Sequence, residues 1–382
     1  MTDVRYLHLT EEQRSLLARA EKAGQALVPI AEAGEPGRIN RPLLAALAEH
    51  GLLGLLFGPV ESGGHIRALD LCLLREGLAR YCTEAETALA VQGLGAYPIL
   101  RAGRPGVVAE WLPRLAAGVA VAGLALTEPE AGSDAASLEL AAVPDGDTYR
   151  LTGEKVFISH APDADVYSVF ARTGGGPRAK GITAFAVPRD LPGLTGEPLS
   201  LLSPHPIGRL RFDDVPVPAS HLLGELDGGW DVAMRTFDLF RPSVGAFAVG
   251  MAQAALDAAV SYAGERRAFG RTLREFQGVS HQLADVATRL QAARLLVHSA
   301  ASASDSGAEE ISHLSAMAKL YATETAQVAV DVAIQVCGAR ALERGHVLEH
   351  LYREVRAPRI YEGASEIQRE IIARHLFHAD PR

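Results

Sequence analysis

The chain has 382 residues, enough for two or three folding units at roughly 100 to 200 residues per domain. Its 37 Lys and Arg against 46 Asp and Glu leave a formal net charge of −9, and no basic stripe interleaved with aromatics occurs, which excludes nucleic acid as an expected partner. Cys72, Cys82 and Cys337 are odd in number and lie far apart in apolar segments, a pattern that fits neither a disulfide framework nor a thiolate metal site and points to a reducing compartment.

The first residues, "MTDVRYLHLTEEQ", lack the short apolar core of a signal peptide. The apolar runs "LLGLLF" and "VAVAGLAL" stop short of the roughly 18 residues that a membrane span needs, so a soluble, cytoplasmic protein without membrane insertion is expected. Helices are predicted from residue 10 to 120. "TEEQ", Thr10 to Gln13, has capping-box spacing, in which the Thr oxygen accepts from an orphan N–H and the Gln reaches back to the cap. Asn40, followed by Arg41 and Pro42, opens a second helix, and Gly51 closes it by accepting a left-handed stop.

Between 121 and 215 the texture changes to short β-rich runs: "VAGLALTE", "DTYRLTGEKVFIS", "DVYSVFART", "ITAFAVP" and "RLRFDDVPVP". Turn signals separate them at Asp145-Gly146, Thr152-Gly153 and the "TGGGP" loop. After Gly229 long Ala, Leu and Val-rich helical segments return, with so much apolar surface that packing in a bundle and against other subunits is expected. The predicted domains are 1–120, 121–229 and 230–382, an α+β chain with a strand domain between two helical ones.

"HVLEH", His346 to His350, matches a zinc pattern in which two imidazoles four residues apart bind metal and Glu349 acts as base. No third ligand accompanies it, so a solvated helix face is the plainer expectation and no metal is assigned. The phosphate-loop pattern G-x-x-x-x-G-K-[ST], the dinucleotide fingerprint G-x-G-x-x-G and the hydrolase elbow G-x-S-x-G are all missing from the sequence.

Three other stretches carry more together than apart. "LTEPEAGSDA", Leu126 to Ala135, offers hydroxyls and a turn glycine at the end of a predicted strand. "ERRAFGRTLREFQ" places Arg266, Phe269 and Gln277 after a long helix, a basic and aromatic group suited to a phosphate and a flat ring. "RAPRIYEGASEIQREIIARHL" sets Glu362 in a Tyr-Glu-Gly break before an amphipathic helix. Singly, these have ordinary explanations: a turn, a surface charge, and an acid stabilised near a helix N-terminus by roughly 0.3 to 1 kcal/mol.

In their order and spacing the three motifs resemble the acyl-CoA dehydrogenase family, whose FAD enzymes introduce a double bond beside a thioester carbonyl. "HGLLGLLFGPVESGG", "RLRFDDVPVPASHLLGE" and "IYEGASEIQREIIARHL" are similar to further family blocks, so the likeness covers nearly the whole chain. It implies a helical N-terminal domain, a middle β-barrel-like domain and a C-terminal four-helix bundle, assembled as a homotetramer built from dimers.

By that resemblance Leu124, Leu126, Thr127 and Ser133 belong to the wall that holds the flavin, with Ser133 also near the thioester. Phe157 and Ser159 in "VFIS" stand where the family usually has Trp and Thr. Arg266, Phe269, Gln277, Gln335 and Ala339 are expected to reach the FAD of a neighbouring subunit, and Ala364, Ser365 and Glu366 open a helix that approaches the cofactor. Asp238, Arg241 and Gly363 fall at substrate-contacting positions.

Glu362 matches the base that removes the α-proton while the β-hydrogen leaves as hydride. Relatives that take the base from another helix use the position before the Arg of the "RP" pair, which here is Phe240 and cannot accept a proton. Burial would raise the carboxylate from about 4.3 toward the roughly 6 to 7 useful to a base. Two departures stand out: Ala339 and Ala341 replace glycines near the adenine, and "SLLSPHPIGRLRF" replaces the usual Lys-x-Gly-x-Arg-x-Ser segment. The expected reaction is formation of a trans-2-enoyl thioester from acyl-CoA in fatty acid metabolism, with electrons passing to an electron-transfer flavoprotein. An acyl carrier protein substrate, an oxidase, a zinc peptidase and a catalytically silent helical oligomer remain alternatives.

Overall fold

The computed structural model describes residues 6, 8–58, 66–176, 178–308 and 310–378. Most of the first seven positions, the end of the "HGLLGLLFGPVESGG" block from position 59 and the proline of the "TGGGP" loop lie outside the described residues. The chain divides into two compact units, one of Met1–Ala26, Arg67–Glu86 and Asp238–Arg382, the other of Leu27–Ile66 and Thr87–Phe237.

In chain order the helices α1 (Glu11–Glu32), α2 (Arg41–Glu49), α3 (Leu52–Phe57), α4 (Ala68–Ala79), α5 (Thr83–Ala102) and α6 (Pro105–Ala116) come first. The strands follow: β1 (Ala122–Ala125), β2 (Ala141–Asp145), β3 (Thr148–Ser159), β4 (Val166–Arg172), β5 (Ile182–Pro188), β6 (Leu194–Pro198), β7 (Ile207–Pro218) and β8 (Leu222–Leu223). Then come α7 (Gly229–Glu265), a small hairpin of β9 (Arg267–Ala268) and β10 (Arg271–Thr272), α8 (Gln277–Asp305), α9 (Ser312–Cys337), α10 (Val347–Glu354) and α11 (Ser365–His378).

Local chemistry sets several of these ends. At α1 the capping box forms as the sequence predicts: Thr10 N–H donates to Gln13 Oε1 at 2.9 Å and Gln13 N–H to Thr10 Oγ1 at 3.2 Å. Asn40 Oδ1 accepts from Leu43 N–H at 3.0 Å to start α2, and Gly51, left-handed at φ 67°, ends that region. By length and composition α7 is apolar enough to cross a bilayer, but 78% of its apolar window is buried within the protein, as befits a core helix. Cys72, Cys82 and Cys337 are free thiols and all buried.

In the second unit the strands form one sheet in the order β6-β7-β3-β2-β4-β5-β8, with β1 joining parallel to β4. Three of its strands, β2, β6 and the two-residue β8, are not evident in the sequence. β2 contains Pro144, which breaks the apolar alternation; it pairs with β4 only at Ala141–Arg172, so at Pro144, which faces Tyr149 of β3, the strand has a neighbour on one side alone. β6, "LTGEP", is an edge strand paired only with β7 and is largely exposed.

The parallel strand β1 is covered by α5 at a point where both backbones are bare. A Cβ on Gly95 would stand 2.7 Å from Gly123 N, and one on Gly123 would meet Ser159 O at 2.7 Å and the Tyr167 ring at 2.9 Å. Only glycine lets helix, β1 and the end of β3 come this close.

The core of the first unit holds a polar knot. Tyr6 Oη and Arg294 Nε both donate to Glu76 Oε1, at 2.7 and 2.8 Å, and His298 Nε2 donates to Oε2 at 3.2 Å. Burial alone would raise Glu76, yet Arg294 and His298 hold it far below the ordinary carboxylate range.

Gly123→Ala should lower the denaturant midpoint by about 1–3 kcal/mol of stability, as overpacking does. Gly132→Ala, whose Cβ meets nothing within 4 Å, should leave it near the parental value in the same urea titration.

Candidate active site

In the first unit the segment before α11 folds into a tight turn. Glu362 has φ 51° and Gly363 φ 94°, two successive left-handed residues that reverse the chain. For a glutamate this conformation costs of order 1–3 kcal/mol and persists only where neighbours impose it. Two side chains do so. Lys319, from the middle of α9 and 0% exposed, donates from Nζ to Tyr361 O at 2.9 Å and to Gly363 O at 2.6 Å. From the first turns of α11, Gln368 Nε2 donates to Gly363 O at 2.8 Å and to Glu362 O at 3.4 Å. The φ at position 363 requires glycine, and a Cβ there would sit 2.4 Å from Gln368 Nε2 and displace that amide from the carbonyls it holds. Ser365 Oγ donates to Glu324 Oε1 at 2.8 Å, and Arg359 pairs with the other oxygen of Glu324 at 2.8 Å, which ties both ends of the turn to α9.

The carboxylate that this turn presents has a distinct electrostatic setting. Glu362 keeps partial exposure as a residue, but its Oε2 is buried and has no hydrogen-bond partner among the described residues. Burial raises its pKa above the ordinary value, while Arg75, Lys319 and Arg241 pull in the opposite direction without cancelling the rise. Arg75 is itself buried, ion-paired with Glu86 and donating to Ser243 Oγ at 2.7 Å on α7. Arg241 lies 3.7 Å from Asp238, and burial lowers its pKa. Lys319 is pushed down to about 8 by burial, with Glu362 opposing the fall. A proton-hungry carboxylate with one buried oxygen, faced by three cations, results.

The second unit assembles a different surface at the end of β1. Val156 N–H donates to Thr127 O at 3.0 Å, and Gly123 packs on the Ser159 carbonyl, so Thr127, Phe157 and Ser159 lie along one edge. The register of β3 against β7 shifts between Lys155 and Ile158, a bulge that turns Phe157 outward with φ 57° and leaves the residue 59% exposed. Beneath this edge the fully buried Lys155 donates to Leu126 O at 2.9 Å and to Glu128 Oε1 at 2.8 Å, and burial pushes its pKa down to about 8. The Glu128 carboxylate also accepts from Glu139 and Leu140 N–H at 2.6 and 2.9 Å, and so anchors the loop that carries the exposed Ser133. His160, held near pKa 4 chiefly by burial, is neutral and donates from Nδ1 to Ala122 O at 2.8 Å on β1.

Models of the three domains of the acyl-CoA dehydrogenases match this chain: the N-terminal domain over residues 10–119, the middle domain over 123–215 and the C-terminal domain over 227–377. The chain belongs to the acyl-CoA dehydrogenase family. It is 35% identical over 374 residues to a cyclohexane-1-carbonyl-CoA dehydrogenase of Geobacter metallireducens, covering 96% of this chain and 98% of that protein. The solved butyryl-CoA dehydrogenase of Megasphaera elsdenii superimposes with TM-score 0.89 at 33% identity, covering 97% of this chain and 99% of the other. A structure solved as the FAD complex of PigA gives TM-score 0.89 at 28% identity over 97% of this chain and 99% of that one. As a member of this acyl-CoA dehydrogenase family the protein is an FAD-dependent oxidoreductase acting on acyl-CoA. The residues present fit the cofactor's flat ring: an outward aromatic face at Phe157 stands on the same strand edge as the Thr127 and Ser159 hydroxyls.

The fold gathers some of the sequence-predicted site residues and separates others. Glu362, Gly363, Ala364, Ser365 and Glu366 are continuous through the turn into α11, and Arg241 faces Glu362 from α7 with Asp238 beside it. Leu124, Leu126, Thr127, Phe157 and Ser159 share the β1–β3 edge. Arg266 is exposed beside the β9–β10 hairpin, whose tip is Phe269, left-handed at φ 51° and 95% exposed; Gln277 opens α8, and Gln335 and Ala339 are exposed at the end of α9. Among the described residues, no hydrogen bond or ring contact links these last five to the Glu362 turn.

The zinc pattern is corrected by its own side chains. His346 Nδ1 accepts from Leu348 N–H at 3.1 Å as the N-cap of α10, Glu349 pairs with Arg353 at 2.9 Å, and His350 Nε2 is hydrogen-bonded to Thr83 Oγ1 at 2.6 Å. The three groups thus serve one helix cap and two separate contacts, and no group of metal-ligating side chains occurs among the described residues.

Lys319, Arg75, Gln368 and Lys155 escaped the sequence analysis. For Lys319 one signal was available: it lies on the same helical stripe as Ala316, Thr323 and Ala326, all buried, where a solvated lysine has no place.

Because the folded state raises the pKa of Glu362, ionising this group costs stability that is absent while both states are protonated and grows as pH rises from the unfolded value, about 4.3, through the folded one. Glu362→Gln should therefore melt at a higher temperature than the parent at pH 7. The gap should close below about pH 4, as read by thermal melting across a pH series.

Proposed function

We propose that the protein removes the α- and β-hydrogens of an acyl-CoA thioester to give the trans-2-enoyl-CoA, with Glu362 as the base that takes the α-proton. The observation that carries this reading is the buried Glu362 Oε2, without a hydrogen-bond partner among the described residues, on a carboxylate whose pKa is raised by burial. A carboxylate oxygen that is buried and left without a donor has a strong appetite for a proton, and a raised pKa makes the group a stronger base. The three facing cations, Arg75, Lys319 and Arg241, favour its ionised form and oppose the rise.

Bound FAD supplies the acceptor for the β-hydrogen as hydride. Thr127, Ser133, Phe157 and Ser159, with Leu124 and Leu126, would hold it on the strand edge, and by the family likeness Ala364, Ser365 and Glu366 would contribute to its binding. Arg241, Asp238 and Gly363 would contact the substrate, and the Glu362 N–H would donate to the thioester oxygen as negative charge develops there, a preorganised donor of the kind that lowers a barrier by about 3 kcal/mol. The exposure of Arg266, Phe269, Gln277, Gln335 and Ala339 supports a homotetramer in which they serve a neighbouring subunit. Electrons would pass to an electron-transfer flavoprotein in the cytoplasm.

Glu362→Gln should slow anaerobic bleaching of the visible flavin band by a straight-chain acyl-CoA about 10²–10⁴-fold while leaving the resting spectrum intact; parental bleaching would remove Glu362 from the role. In the parent enzyme kcat/KM should rise with pH through an apparent pKa above the free carboxylate value of about 4.3. Phe157→Ala, at an exposed position, should lower flavin content after dialysis with little change in melting temperature.

A further inference from the structure

Lys319 is a fully buried ammonium, one of the three cations facing Glu362, and it also grips the turn that carries the base. Its Nζ donates to Tyr361 O at 2.9 Å and Gly363 O at 2.6 Å, the carbonyls on either side of Glu362. We propose that Lys319 is a positioning residue for the base, gripping both flanks of Glu362 so that the strained turn aims its carboxylate at one point. The proposal rests on the reading of Glu362 as that base.

Three observations support the assignment. Burying a lysine on an alanine-rich face of α9 works against stability, since an uncharged side chain of similar length would fill the same space without being taken out of water. Glu362 at φ 51° is held in a conformation it would leave if its flanks were free, and of the two carbonyls that Lys319 binds, Tyr361 O is on the peptide that leads into Glu362 and would rotate with its φ, while Gly363 O fixes the residue that follows. Lys319 also faces Glu362 directly in charge, together with Arg241, Glu324 and Glu366, while Glu362 faces Arg75 and Arg241 besides Lys319. One ammonium therefore sets the place of the carboxylate by hydrogen bonds to its backbone and moderates its basicity through space.

Lys319→Met keeps the length of the side chain and removes both effects. With saturating acyl-CoA, kcat should fall by about 10- to 100-fold, the scale of a misplaced catalytic group, with KM nearly unchanged. The acid limb of the kcat/KM profile should move to higher pH, because a cation that favours ionised Glu362 is gone. Lys319→Arg should return the acid limb toward its parental position. A Lys319→Met enzyme that melts lower but keeps parental kcat and a parental acid limb would overturn the proposal and leave Lys319 a structural residue.

Should Lys319→Met give no soluble protein, Lys319→Gln, uncharged but still a donor, carries the same test: an acid limb moved to higher pH supports the proposal and an unmoved one overturns it. Glu362→Gln is measured alongside. Parental flavin bleaching in that variant removes the base and the positioning role together, whereas a dead Glu362→Gln with a parental Lys319→Met removes the positioning role alone.

Discussion

A carboxylate that is to take a proton from carbon must be kept from water, and a carboxylate kept from water resists being charged. The setting of Glu362 balances these demands. Burial raises its pKa, and Arg75, Lys319 and Arg241 limit the rise from three different places in the chain, one on α4, one on α9 and one on α7. Each cation needs support of its own: Glu86 and Ser243 hold Arg75, Asp238 stands beside Arg241, and the turn's own carbonyls hold Lys319. Much of the polar interior of the first unit follows from having placed one acid there.

The second unit uses the same device for a different end. Lys155 is as buried as Lys319 and likewise spends its protons on a backbone carbonyl, that of Leu126, with Glu128 completing its shell. Both lysines lie at a pKa of about 8, and both secure a stretch that departs from regular structure, the exit of β1 in one unit and the approach to α11 in the other. Irregular backbone has few ladder bonds to hold it, so a charged donor, worth about 1.5–3 kcal/mol per hydrogen bond, is an effective substitute.

The sequence revealed the parts of this arrangement whose signal is local. Caps at Thr10 and Asn40, the run of strands after Val121 and the Tyr-Glu-Gly break are written in a few adjacent residues, and Glu362 follows from the last of them. The change of texture after residue 120 and again after Gly229 gave the partition into helical and strand domains, and the family likeness agreed with it. What could not be seen was anything decided by a distant partner. Lys319 reads as one more lysine on a helix until α9 is packed, and Arg75 as a surface arginine until Glu86 lies against it. His346 and His350 spelled a metal pattern because spacing says nothing about where a ring points, and α10 turns one to its own N-terminus and the other to Thr83. β2 and β6 were hidden because proline and glycine, which mark turns, also occur where a strand lacks a neighbour on one side.

The bulge in β3 separates two properties of position 157 that usually vary together. By strict alternation Phe157 would share the inward face of Lys155; the extra residue in the ladder reverses it. The direction of the side chain is thus a matter of how many residues β3 contains, and its chemistry a matter of which residue stands there. Phenylalanine can replace a larger indole without disturbing the sheet, since neither ring is asked to pack inside. Loss of Phe157 would be a graver event, closing the bulge with Ile158 still inward, taking the aromatic face away and sending the buried Val156 into solvent at one stroke.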